Sequence, residues 1–102
     1  MITLVQTTSD KKSELEQIGQ ALVKSRQVAC CQIDGPVSST NHWEGDVEHT
    51  QEYRMTLKTT ASHVPSIIET ITKQHSYDLP EIIHYQVETT ADYEAWVKAE
   101  TS

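Results

Sequence analysis

Two helical stripes, each set between extended segments, and one strong turn signal predict an α+β fold. Leu15, Ile18, Leu22 and Val23 fall at i, i+3, i+7 and i+8, and Val64, Ile67, Ile68 and Ile71 form a second stripe. Between them Glu44-Gly45-Asp46 marks a tight hairpin, because Gly45 takes a positive φ without steric cost. The resulting order is βαββαβ with a further terminal helix. Two right-handed crossovers then give a ferredoxin-like sandwich, an antiparallel sheet with two helices on one face.

Each element has its own signal. Ile2 to Gln6 reads as a short strand, and Thr8-Ser9-Asp10 offers cap oxygens to the first helix. Lys24 and Arg26 suit that helix's C-terminal end. Val28 to Ile33 is apolar on both faces, as in a strand covered on each side. Gly35-Pro36 interrupts it, and Val37 to Trp43 resumes it. The return strand is long, and Tyr53 to Thr59 alternates with period two. Ser62 is placed to cap the second helix, with Pro65 in its first turn. His75 to Pro80 is a loop, Ile82 to Val87 a fourth strand, and Thr90 caps a last helix carrying Tyr93, Trp96 and Val97. One sheet face then keeps apolar side chains with no cover except the third helix or another subunit.

The chain has 102 residues and no repeat or linker, so residues 1–102 form a single domain. Hydrophobic content of 36% with no Phe leaves a small core, and assembly is one way to bury more. A net charge of −7 with no basic cluster excludes nucleic acid and anionic membranes as partners. No run is long and apolar enough to span a bilayer, and Met1 to Val5 passes at once into polar residues, so the expected location is cytoplasmic. Cys30 and Cys31 are adjacent, so on a strand they face opposite ways and read as two reduced thiols.

Several segments taken together resemble the CutA divalent-cation tolerance family. They are Val28-Ala29-Cys30, Trp43-Glu44-Gly45, Leu57-Lys58-Thr59, His75-Ser76-Tyr77 with Pro80-Glu81-Ile82, and Tyr93 with Trp96. The resemblance runs over essentially the whole chain. It implies a small ferredoxin-like homotrimer whose long hairpin reaches a neighbouring subunit. It also implies a polar cleft between subunits at Trp43, Lys58, Tyr77 and Glu81. Some bacterial members carry a Cys at the end of the first strand and a His pair before the last, proposed as copper ligands. Here Gln6 stands at the first position and Gln74-His75 at the pair, so only His75 remains. Ser76, the Gly35-Pro36 order and Asn41 are further departures.

His75 is thus the expected metal residue, for copper or another borderline ion, with Glu81 or another subunit completing the set. The opposite reading is a loop histidine bonded to a carboxylate. His42 and His49 flank the hairpin tip among Glu44, Asp46 and Glu48. They face each other if Gly45-Asp46 is the loop and fall out of register if Glu44-Gly45 is. No phosphate loop, His-x-x-x-His pair or nucleophile elbow occurs. The expected function is a non-enzymatic trimer that responds to divalent ions or serves as a signalling scaffold, with no required cofactor. The alternatives are an enzyme or binder for a small anionic metabolite held by Lys58 in the ligand cleft, and a pure assembly module.

Overall fold

A computed structural model describes residues 1–102. The elements are β1 (Ile2–Ser9), α1 (Lys12–Lys24), β2 (Cys30–Trp43), β3 (Asp46–Thr59), a 3-10 turn (Ala61–His63), α2 (Val64–Gln74), β4 (Ile82–Val87) and α3 (Ala91–Glu100). The four strands form one antiparallel sheet in the order β2-β3-β1-β4, which leaves β2 and β4 as open edges. This is the ferredoxin-like sandwich with a terminal helix that the pattern predicts.

Alternation fixes the two faces. Val5, Met55 and Leu57 point to the helices and are fully buried with Leu15, Ile18 and Leu22 of α1 and Ile67 and Ile71 of α2. Cys31, Ile33 and Ile82 pack against the same core. Their strand neighbours Cys30, Lys58 and Ile83 therefore take the far face. There α3 covers the Cys30 and Lys58 end: the Tyr93 hydroxyl lies 3.8 Å from Cys30 Sγ, and the Lys58 ammonium lies 5.7 Å from the Tyr93 ring centroid. Ile83, Tyr85 and Trp96 stay exposed.

Several boundaries differ from the sequence expectation. β1 runs on to Ser9 because Thr8 and Ser9 pair with Arg54 and Tyr53. Lys11 is the N-cap residue of α1 and gives no side-chain cap, while Ser9 Oγ accepts from the Lys11 amide at 3.1 Å and donates to Glu14 at 2.8 Å. Ser62 lies inside the 3-10 turn and does not cap α2, whereas Pro65 does stand in its first turn. Val23 and Trp96 fall outside their helices' buried stripes. Gly35-Pro36 does not end β2. It forms a bulge, and register resumes at Val37 opposite Glu52. Thr90 caps α3 as expected, accepting from the Tyr93 amide at 3.3 Å.

The pairing of β2 with β3 outlasts the support of β1. From Val37 to Glu52 the chain is a two-stranded ribbon projecting from the sheet, and the molecule measures 45 × 24 × 21 Å. The tip is a two-residue turn, Glu44 at φ 50° and Gly45 at φ 85°, the geometry of a type I′ hairpin.

Candidate functional site

The polar side chains of most interest gather where α2 ends. His75 stops that helix with an extended backbone, and its side chain is completely shielded from solvent. Thr8 O lies 2.7 Å from Nε2 and only accepts, so Nε2 donates. The Tyr77 amide lies 3.0 Å from Nδ1 and only donates, so Nδ1 accepts. These partners place a hydrogen on Nε2 and occupy the Nδ1 lone pair. Glu14 Oε2 stands 3.6 Å from Nδ1, and it already accepts from Ser9 and Ser76 at 2.8 and 3.0 Å.

Tyr77 packs its ring 4.7 Å from that of His75. Its hydroxyl accepts from the Asp10 amide and donates to Glu52 Oε2, both at 2.9 Å. Burial pushes the phenol above its usual range, and the Glu52 bond adds to that, against a smaller opposing effect of the Asp10 amide. Cys31 is also pushed up, first by burial and then by Cys30 beside it. It sits on Gly19 of α1, where an added Cβ would lie 2.3 Å from its Sγ.

Of the four residues expected in a cleft and the expected metal residue His75, one chain brings only His75 and Tyr77 together. Lys58 lies further along β3, against Tyr93 and with no carboxylate within salt-bridge distance. Trp43 sits at the arm's tip, roughly 40 Å from Lys58 at a strand rise of about 3.4 Å per residue. Glu81 is exposed beside β4. Of the residues that build the network around His75 and Tyr77, Glu14 and Glu52 carried no signal in the sequence, and Ser9 only that of a helix cap. They meet only because β1, α1 and β3 converge there.

The fit to a metal ion is poor within one chain. No three side chains among His, Cys, Asp and Glu converge as ligands, and an ion at His75 has to displace Thr8 or Tyr77 first. Both nitrogens of His75, the expected metal residue, serve the backbone in this structure. At the tip the loop is Glu44-Gly45, so His42 opposes Val47, and His49 opposes Thr40 with Nδ1 3.0 Å from its hydroxyl. The two histidines are diagonal neighbours, not a facing pair.

Two grooves flank the open edges. One, of about 820 Å³, lies between α1 and β2 and includes Gln20, Val23, Ala29 and Cys31. The other, of about 610 Å³, lies between α2 and β4 and includes Val64, Ile68, His84 and Gln86. Neither is lined by Trp43, Lys58, His75, Tyr77 or Glu81. No helix is long and apolar enough to cross a membrane.

The comparisons with known proteins agree with this fold. The family described as CutA1 divalent ion tolerance protein matches residues 3–100. The divalent-cation tolerance protein CutA of Escherichia coli K12 is 28% identical over 97 residues, 94% of this chain and 87% of its own. CutA of Xylella fastidiosa superposes with a TM-score of 0.93 at 33% identity, covering 99% of this chain and 98% of its own. The Thermus thermophilus Cut A1 protein gives 0.94 at 30% identity, with both chains covered completely. With the profile spanning nearly every residue and the fold matching end to end, the chain belongs to the CutA1 family of divalent ion tolerance proteins.

Proposed function

We propose that the chain works as a non-enzymatic homotrimer in divalent-cation tolerance, an ion-responsive scaffold and not a catalyst. The observation that carries this reading is the arm from Val37 to Glu52, a two-stranded ribbon that no third strand of its own chain supports. A two-stranded ribbon is marginal alone, and this one presents Trp43 and Val47 to solvent. The open edges β2 and β4 lie on opposite sides of the sheet, so a head-to-tail contact repeated by rotation closes a ring. His75, the natural acid–base residue, has both nitrogens committed to the backbone, which supports a role other than proton transfer. Two free thiols suit a cytoplasmic setting.

Chromatography with light scattering tests the assembly: the expected mass is three times 11.5 kDa, and a monomer at micromolar concentration overturns the reading. Copper titration tests the ion response. Because His75 is closed, His75→Ala should leave copper stoichiometry unchanged, whereas removing the exposed His42 and His49 together should lower it. No copper binding by the parent would leave only an assembly module. A second reading rests on Lys58, a half-buried cation lacking a carboxylate partner, which suits a small anionic metabolite at the subunit boundary. A thermal-shift screen of anions against the parent and Lys58→Gln separates the two.

A further inference from the structure

The arm begins where the support of β1 ends. β1 pairs with β3 as far as Ser9 opposite Tyr53, and the next residue outward, Glu52, has only β2 beside it. On that partner strand the register breaks at the same level, between Asp34 and Val37. A bulge bends its strand and sharpens the local twist. The arm therefore leaves the sheet at an irregular joint, and two-stranded pairing alone does little to fix its angle.

Tyr77 reaches this joint from the loop after α2. Its hydroxyl takes the Asp10 amide, one residue past the end of β1, and gives its own hydrogen to Glu52 at the arm's first turnless position. The residue is anchored from behind as well: its amide donates to His75 Nδ1, and His75 Nε2 donates to Thr8 O of β1. A chain of four hydrogen bonds thus runs from β1 through the loop to the arm root and back to the residue after β1. The acceptor at the arm is a carboxylate, which makes that bond stronger than one between neutral groups. The phenol stays protonated, and so remains a donor, because burial holds it above its usual range.

We propose that Tyr77 is a strap across the root of the β2–β3 arm, a positioning residue that fixes the arm's angle to the body and thereby the geometry in which neighbouring copies meet. The part about neighbouring copies rests on the trimer reading, whereas the strap itself does not. A consequence is that the loop from His75 to Glu81 and the arm are mechanically joined: whatever displaces the loop frees the arm root.

Hydrogen exchange followed by mass spectrometry on the full chain tests this, reading residues 37–52 against β1 and α1. Tyr77→Phe removes the hydroxyl and keeps the ring. Glu52→Ala removes the acceptor from the strand side of the same bond and keeps the test intact if the tyrosine variant folds poorly. Each should speed exchange in the arm by roughly tenfold, the scale of one lost hydrogen bond, with β1 and α1 at parental rates. The double variant should be no faster than either single one. Glu52→Gln, whose amide oxygen still accepts, should stay near the parent. Parental arm exchange in Tyr77→Phe and Glu52→Ala, or effects that multiply in the double variant, overturn the strap. Light scattering on the same samples reads the assembly: looser oligomers in both variants support the second half, and a parent that is monomeric throughout sinks that half while the exchange data still judge the strap.

Discussion

Gly19 and Cys31 show how little slack the helix-facing layer has. A Cβ on Gly19 would meet Cys31 Sγ at 2.3 Å and Met55 Sδ at 3.0 Å. Gly19→Ala gains about 1 kcal/mol of helix propensity and loses about 1–3 kcal/mol to overpacking. We expect a net loss in denaturant midpoint, recovered when Cys31→Ala is added; a midpoint at or above the parent's would refute the close contact. The raised thiol of Cys31 and phenol of Tyr77 also set an alkaline limit. In the unfolded chain they ionise near 9.0 and 10.0, while the folded chain keeps both protons to higher pH. The folded state then binds more protons in that window, so this contribution is complete below the ordinary thiol value and falls as pH rises through it. Cys31→Ala should flatten the fall from the thiol range and Tyr77→Phe from the phenol range. Unchanged slopes in pH-dependent melting would contradict the burial of these groups.

At the scale of elements, what could be read in advance was whatever local chemistry decides. Gly45 marks a tight turn within Glu44-Gly45-Asp46, although only the positive φ values of Glu44 and Gly45 decide which two residues form it, and the α2 stripe follows from the spacing of Val64, Ile67 and Ile71. Thr90 was legible for the same reason, since its hydroxyl caps α3 from three residues away. Thr90→Ala should cost about 1 kcal/mol, seen as faster exchange in α3 and a lower melting temperature; an unaffected α3 would mean the helix is held by Val97 packing alone. What sequence could not show depends on distant partners. Ser9 is a strand residue because Tyr53 lies opposite. Likewise, His75 reads as a loop ligand until Thr8, 67 residues away, takes its Nε2 hydrogen. Spacing gives periodicity, but it does not say which carbonyl a side chain will find.

For the molecule as a whole, charge opposes the assembly that the fold invites. Each copy carries −7, so copies repel one another as whole molecules. Raising salt from about 0.01 M to 0.15 M shortens the screening length from about 30 to 8 Å. The proposed trimer should therefore dissociate at lower protein concentration as salt rises, which light scattering across a salt series would read; weakening with salt would mean that attractive ion pairs dominate the interface. The same two-layered architecture has a practical consequence at Cys30 and Cys31. Neighbours in sequence, they are separated by the thickness of the sheet: Cys31 is seated against α1, and Cys30 lies beneath Tyr93 of α3. Thiol labelling resolved by residue would therefore report on the two faces of one strand separately, Cys31 on the side of α1 and Cys30 on the side of α3.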